Sequence, residues 1–127
     1  MLLNNIWPVF IGGAFGATAR FLVIHYWTIN TRPGFPMATI VVNCIGCLLI
    51  GILWTAIDKF NLPIWVKLLV ITGGLGAFTT FSTYGVDMLM LFERSEFGKT
   101  AIYFFISNGL GLFCVWAGLK LSRFFFN

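Results

Sequence analysis

Charged side chains are scarce in this sequence, and the acidic ones are the scarcest. Four Asp and Glu residues and eight Lys and Arg residues make up 9% of the 127 positions, whereas a soluble domain carries about 25%. The basic residues are scattered along the chain, which argues against a nucleic-acid surface or an anionic-lipid patch. Low charge together with 59% hydrophobic residues and a mean hydropathy of +0.93 indicates an integral membrane protein.

Groups that enzymes commonly use are rare as well. The chain has a single histidine, and its sequence contains no paired carboxylates, Ser/His/Asp set or cluster of metal-ligating side chains. Its three cysteines lie in apolar runs, which disfavours an exported disulfide framework. The pair Cys44-x-x-Cys47 fits small-residue packing better than metal or redox chemistry. The sequence therefore gives almost no support to an enzyme.

Four apolar stretches are each near the roughly 20 residues that span a bilayer. They predict a single membrane domain of four transmembrane helices, at about residues 6–27, 38–57, 62–92 and 100–125. The start M-L-L-N-N lacks the basic region of a cleavable signal, so we expect the first span to stay in the mature protein. Lysines and arginines are nearly balanced between the two sides, which leaves one fixed orientation and insertion in both orientations as equal alternatives.

The third span contains an unusual stretch, T-G-G-L-G-A-F-T-T-F-S-T-Y, at residues 72–84. Glycine lowers helix propensity and hydroxyl side chains compete for backbone partners, so we expect the helix to break near residues 73–80. Non-helical backbone is tolerated at membrane depth only where protein covers it or where it lines a cavity. We therefore expect the freed carbonyl groups to form an ion-handling centre.

Spaced small residues predict close contacts between helices. Gly12 and Gly16 form a G-x-x-x-G pattern in the first span, and Ser107 and Gly111 repeat this spacing in the fourth. Because four helices cannot enclose a pore and still pack a core, we expect the chain to form an oligomer. An antiparallel pair would bring both copies of the break together at its centre.

Several residues inside the spans are candidates for a site, each with an alternative. Arg20 either gives an entrance a positive potential or reaches the membrane surface as a snorkelling side chain. Asn43 either joins helices by hydrogen bonds or donates to a dehydrated anion. Phe81 and Tyr84 share a helix face, where their ring edges could solvate a small anion, although packing is the commoner use of such a pair.

Two further features of the later spans also have two interpretations each. Tyr103, Ser107 and Gly111 form one stripe on the fourth span, which fits either a polar track or a packing seam. Asp87 is the only acid well inside an apolar stretch. A proton-coupled transporter would need such a group, and a cap or pair near a helix end would use it equally well.

Five segments, taken in chain order, carry specific motifs: G-G-A-F-G-A-T-A-R (12–20), A-T-I-V-V-N-C-I-G (38–46), W-V-K-L-L-V-I-T-G (65–73), G-A-F-T-T-F-S-T-Y (76–84) and Y-F-F-I-S-N-G-L-G-L (103–112). Through these segments the chain resembles the Fluc (CrcB) family of fluoride channels. The resemblance covers all four spans in order, and the T-T-F-S-T core with Lys67 upstream is its most specific part.

The resemblance implies an all-α, antiparallel, dual-topology homodimer with two pores and a structural sodium ion (Na⁺) at its centre. The backbone carbonyl groups of Gly76 and Thr79 would hold this sodium, which agrees with the general use of unwound carbonyls as cation ligands. The vestibule arginine would be Arg20. The fluoride pore would be lined by Asn43, Phe81, Ser82, Thr83, Tyr84, Tyr103 and Ser107.

The chain departs from the family pattern at two positions. Tyr84 stands where the family usually has a second pore phenylalanine, so a hydroxyl group enters the pathway. Gly111 stands where some members carry a hydroxyl, which shortens the polar track. Either difference could change conductance or anion preference, and neither removes the sodium site.

The function that the resemblance implies is passive, selective export of fluoride through a bacterial inner membrane, which relieves cytoplasmic fluoride toxicity. The expected partners are a second copy of the chain, the fluoride ion and the lipid bilayer, with no nucleic acid. A first alternative is a small proton-coupled drug exporter, which would use Asp87 as its exchange site. A second alternative is a membrane assembly subunit that transports nothing.

Overall fold

The computed structural model of the chain describes residues 5–31 and 34–126. Every regular element in these ranges is helical. The elements are α1 (Ile6–Asn30), α2 (Met37–Lys59), α3 (Ile64–Lys67), a π-helix (Leu68–Leu75), α4 (Gly76–Phe78), α5 (Phe81–Glu93) and α6 (Phe97–Phe126).

Four helical stretches are long and apolar enough to cross a membrane. They are Ile6–Asn30, Met37–Lys59, Ile64–Glu93 and Phe97–Phe126. This confirms the prediction of an all-α membrane protein with four spans. The observed ends differ from the predicted ones by only a few residues, as is usual for helix ends.

The connections between the spans are short. Pro36 and Pro63 come directly before α2 and α3, where a missing backbone N–H leaves no helical hydrogen bond unmade. Asn61 and Ser95 have positive φ angles of 47° and 59°. This left-handed conformation lets each tight turn close directly after a helix.

The third span changes its helical geometry along its length. After the single turn of α3, residues 68–75 form a π-helix, in which hydrogen bonds connect residues five apart instead of four. Helical backbone then continues through α4, and Gly76 has φ −61° and ψ −37°. Only Thr79 (φ −75°, ψ 158°) and Thr80 (φ −147°, ψ 116°) are extended before α5 begins. The extended link is therefore confined to the last part of the predicted 73–80 interval.

Glycine lets the backbone of α1 touch the backbone of the π-helix. A Cβ atom added at Gly12 would overlap the carbonyl oxygen of Leu69, and one added at Gly16 would overlap the carbonyl oxygen of Gly74. This confirms that the G-x-x-x-G pattern marks a close helix contact. The contact joins the first and third spans of one chain.

A second close contact joins α2 to α6. A Cβ atom added at Gly51 would lie 3.0 Å from the Cα atom of Gly118, which is tighter than ordinary side-chain packing. At Gly111 an added Cβ would lie 3.7 Å from Cys47 Sγ, which is ordinary van der Waals contact. The closest approach of α6 is therefore nearer its end than the predicted Ser107–Gly111 spacing suggested.

The buried interior of the chain is small. One cluster contains Ile40, Tyr84, Leu91 and Tyr103, and a second contains Ile57, Ile71 and Leu75. Large apolar side chains cover much of the outside, as helices surrounded by lipid require. Among the most exposed are Phe10, Phe15, Phe81, Phe105, Leu112 and Phe124.

Candidate functional site

A single side chain of α2 holds the extended link between α4 and α5. Asn43 Nδ2 donates to the Thr80 carbonyl oxygen at 3.0 Å, and Asn43 Oδ1 accepts from the Thr80 N–H at 2.8 Å. In a continuous α-helix this N–H would bond to the carbonyl of Gly76. The structure therefore gives Asn43 the helix-joining role that the sequence left open. One of its two Nδ2 hydrogens is not needed for this pairing.

Thr80 also caps the helix that follows the link. Its Oγ1 accepts from the Thr83 N–H at 3.1 Å, donates to the Thr83 hydroxyl at 2.9 Å and lies 3.3 Å from the Ser82 hydroxyl. A hydroxyl cap of this kind stabilises a helix by about 1 kcal/mol. The predicted pore hydroxyls of Ser82 and Thr83 thus surround a cap. Thr80 was not among the predicted site residues, although a threonine directly before a new helix is the usual signal for a cap.

Arg20 approaches the same link from α1. Its Nη1 donates to the Thr79 carbonyl oxygen at 3.2 Å, and its side chain is half-buried. An arginine inside a membrane span needs a polar partner, and here a backbone carbonyl provides it. The structure therefore favours a paired arginine over a snorkelling one.

A cavity of 410 Å³ opens beside the link, between α2, the π-helix, α5 and α6. Its wall is mostly apolar, with a few neutral polar groups. The predicted site residues that line it are Asn43, Gly76, Thr79, Phe81, Tyr84 and Ser107. Arg20, Ser82, Thr83 and Tyr103 lie outside its wall.

The two predicted pore aromatics have very different environments. The ring centroids of Phe81 and Tyr84 are 5.6 Å apart at an interplanar angle of 41°, so the two rings are neighbours as expected. Phe81 is 82% exposed, whereas Tyr84 is 7% exposed and packs on the Tyr103 ring at 5.2 Å. Tyr84 is therefore fixed within the subunit, and Phe81 projects from its open side.

Asp87 is paired inside the protein. Its Oδ2 accepts from Thr39 Oγ1 at 2.7 Å and from the Tyr103 hydroxyl at 3.2 Å. The hydroxyl of Tyr103, predicted to continue a polar track, is thus bound to Asp87. Thr39 was not among the predicted site residues, because its partner lies on another span and nothing in the sequence connects the two positions.

α6 contributes two neighbouring polar residues to the cavity wall. Ser107 Oγ is buried and has no hydrogen-bond partner in the part of the chain that the structure describes. Asn108 Nδ2 donates to the Tyr84 hydroxyl oxygen at 3.0 Å and to the Phe104 carbonyl oxygen at 2.8 Å. Asn108 was not among the predicted site residues, and its only sequence signal is an amide side chain beside Ser107 on an apolar helix.

Comparison with known proteins identifies the family. Residues 7–119 match the family model described as CrcB-like protein, Camphor Resistance (CrcB). The chain belongs to the CrcB family. This confirms the resemblance that its five motif segments predict.

Relatives of this CrcB chain share most of its length. A protein of Rhizobium etli named fluoride-specific ion channel FluC is 41% identical over 116 residues, covering 91% of this chain and 93% of the relative. Proteins of the same name from Agrobacterium fabrum and Oceanobacillus iheyensis are 40% identical over 121 residues and 36% identical over 124 residues. They cover 94% and 96% of this CrcB chain, and 96% and 94% of their own lengths.

Proposed function

We propose that this chain forms a fluoride-selective channel through which fluoride leaves the cell passively. The observation that carries the proposal is the cavity beside the Thr79–Thr80 link, with an apolar wall and a few neutral donors inside a membrane-spanning fold. A filter of this kind replaces the hydration shell of a small ion by a few fixed groups. The names of the relatives support fluoride as the ion. A channel performs no covalent chemistry, so the chain is not an enzyme.

The groups available to an anion in this cavity are few. Ser107 offers an unpartnered hydroxyl, and Asn43 offers the amide hydrogen that Thr80 does not use. Phe81 and Tyr84 present ring edges, which carry partial positive charge. Arg20 gives the approach to the link a positive potential. The resemblance adds Ser82, Thr83 and Tyr103 to the proposed pore. These three residues lie outside the wall of this cavity, and their hydroxyls are bonded to Thr80 and Asp87 within the subunit.

The proposed active form is an antiparallel, dual-topology homodimer with two pores in a bacterial inner membrane. One subunit leaves the cavity open on the side where Phe81 is 82% exposed. A second copy would cover this side and supply the missing wall. The nearly even distribution of Lys and Arg between the two sides is compatible with insertion in both orientations.

A structural sodium at the dimer centre is part of the proposal. The Gly76 carbonyl is not used by the Thr80 N–H, which bonds to Asn43 instead. The Thr79 carbonyl accepts from Arg20 and keeps a second lone pair. Neutral backbone oxygens at an interrupted helix suit a monovalent cation. Because two oxygens cannot surround the ion, the second copy would provide the same pair.

Removing sodium is expected to weaken the dimer. An ion that binds only the assembled protein stabilises it by about 2.7 kcal/mol at 100 times its dissociation constant. Protein purified throughout in K⁺ or N-methylglucamine should therefore unfold at a lower temperature and release monomer on size-exclusion chromatography. Adding Na⁺ back should restore both properties. A dimer equally stable at every sodium concentration would contradict the sodium site.

Liposomes that contain the purified protein are expected to release trapped fluoride and to retain chloride. Passive movement of an anion carries charge, so efflux should start only when valinomycin lets K⁺ leave with it. A fluoride electrode measures the first ion and a chloride electrode the second. Liposomes that hold their fluoride after valinomycin is added would refute the channel.

Asp87→Asn separates the channel from the proton-coupled exporter. Asparagine keeps an oxygen that can accept from Thr39 and Tyr103, but it cannot exchange a proton. We expect fluoride efflux to persist in this variant at a rate that does not depend on an imposed pH gradient. The exporter alternative requires transport to disappear. Liposomes that release no fluoride, together with a partner protein that co-purifies, would favour the membrane assembly subunit.

A further inference from the structure

The hydrogen bond between Asn108 and Tyr84 has a direction that the surrounding atoms fix. Asn108 Nδ2 lies 2.8 Å from the Phe104 carbonyl oxygen and 3.0 Å from the Tyr84 hydroxyl oxygen. A carbonyl oxygen can only accept, so the Asn108 atom next to it must be the amide nitrogen. The same nitrogen then gives its other hydrogen to Tyr84. Tyr84 is the acceptor in this bond.

This direction leaves the Tyr84 hydroxyl proton unused. No acceptor for it is found in residues 5–31 and 34–126. The ring is 7% exposed and packs between Phe81 and Tyr103. Tyr84 lines the cavity, so an acceptor that occupies the cavity could take this proton.

Ser107 supplies a second, independent observation of the same kind. Its Oγ is buried and lacks a partner within the described part of the chain, and it lines the same cavity as Tyr84 and Asn108. The cavity is therefore lined by two residues whose hydroxyl groups keep free donor capacity, and none of its lining residues carries a fixed charge. Two neutral O–H donors suit a small anion with concentrated charge better than a large, weakly hydrated one, because hydrogen bonds to an ionised acceptor are shorter and stronger.

We propose that Asn108 positions the Tyr84 hydroxyl as a hydrogen-bond donor to the permeating anion, beside the hydroxyl of Ser107. The proposal rests on the proposed fluoride pathway and adds a donor to it. Tyr84 touches the ion, whereas Asn108 acts only through Tyr84. The hydroxyl group of Tyr84 thus serves as an ion ligand, and Asn108 orients it toward the ion.

A double-mutant cycle tests the positioning role. Asn108→Leu should lower fluoride efflux about tenfold at fluoride concentrations below saturation, because the Tyr84 hydroxyl loses the bond that orients it toward the ion. Tyr84→Phe should lower it by a similar factor. In the Tyr84→Phe background, Asn108→Leu should change efflux less than about twofold, because the hydroxyl that it positions is gone.

Asn108→Asp distinguishes positioning from simple packing. Aspartate keeps the size of the side chain and can still bond to Tyr84, but a carboxylate only accepts. The Tyr84 hydroxyl would then donate its hydrogen bond to the aspartate instead of to an ion in the cavity. We expect efflux at least as low as in Asn108→Leu and a larger loss than the same aspartate causes in the Tyr84→Phe background, whereas a purely structural role predicts equal losses in both backgrounds. The aspartate in the Tyr84→Phe background measures the effect of the added charge alone.

Gly109→Ala is the matched control on α6, because an added Cβ meets nothing within 4 Å there. It should leave efflux unchanged. All variants are compared as monodisperse dimers, and Asn108→Ala serves if leucine prevents purification. Independent, multiplying effects of the Tyr84 and Asn108 substitutions, or wild-type efflux in Asn108→Asp, would overturn the proposal. A wild-type protein that releases no fluoride would overturn the proposed function itself.

Discussion

Asn43→Leu is expected to reduce fluoride efflux at least about 100-fold. The change removes both hydrogen bonds to the Thr80 backbone and leaves its N–H and C=O groups unpaired inside the membrane-spanning fold. Each unpaired group is unfavourable by about 1–3 kcal/mol, and every 1.4 kcal/mol corresponds to about tenfold. The backbone can avoid this only by bonding to Gly76, which would destroy the extended link and the cavity beside it. Efflux from liposomes at equal protein content measures the loss.

Two further substitutions in α2 control this experiment. Asn43→Asp keeps the acceptor for the Thr80 N–H, but it sets a carboxylate oxygen against the Thr80 carbonyl and adds a negative charge to the cavity wall, so a loss as large as in Asn43→Leu is expected. Ile45→Leu changes the shape of an exposed side chain two residues later and should leave efflux unchanged. If Asn43→Leu kept more than a tenth of the wild-type efflux, the pairing with Thr80 would not be what maintains the pathway.

Gly16→Ala is expected to eliminate most of the folded protein. The added Cβ would overlap the Gly74 carbonyl oxygen, and it would lie 3.1 Å from the Phe78 nitrogen. Both are backbone atoms, which cannot move out of the way as the end of a flexible side chain can. The first and third spans must therefore separate, which also removes Arg20 from Thr79. The yield of monodisperse protein after detergent extraction, and its thermal unfolding, measure the effect.

Gly13→Ala provides the comparison within the same helix. An added Cβ at Gly13 meets nothing within 4 Å, and alanine is a better helix former than glycine by about 1 kcal/mol. The yield and stability of this variant should equal or exceed those of the wild type. Equal yields from Gly13→Ala and Gly16→Ala would show that α1 does not touch the π-helix through Gly16.

The four spans could be predicted from sequence because their signal is simple. Length and hydropathy suffice for a membrane helix, and they require no knowledge of neighbours. The G-x-x-x-G pattern of Gly12 and Gly16 was equally readable, because only a close backbone contact needs two such residues one turn apart. The pattern could not reveal which span is the partner.

The third span was harder to predict because glycine in a helix can indicate either a break in the helix or a close contact with another helix. Glycine lowers helix propensity, which suggested unwinding from residue 73 onwards. In the structure Gly73 remains helical and allows α1 to approach, because a Cβ atom added there would lie 2.7 Å from the Val9 carbonyl oxygen. The extended residues are the threonines at 79 and 80. Propensity describes an isolated helix, whereas the packing of α1 against this segment decides its geometry.

Contacts between spans account for most of what the sequence did not reveal. The chemistry of Asp87, Asn43 and Arg20 marked each as a residue that needs a partner. Their partners are the hydroxyls of Thr39 and Tyr103 and three backbone groups of the Thr79–Thr80 link, all on other spans. Backbone groups carry no sequence signal, so these pairs become visible only when the helices are placed together.

The π-helix determines the direction in which the later residues of the third span face around the helix axis. Its carbonyl groups at Leu69 and Gly74, five residues apart, meet glycines of α1 that are four residues apart. A π-helix has more residues per turn than an α-helix, so each of its residues turns the chain less around the helix axis. If the same eight residues were α-helical, all later residues of the span would be rotated further, and Thr80 would no longer face Asn43. The hydrogen-bond geometry of this interval is therefore as strict a requirement as the identity of its residues.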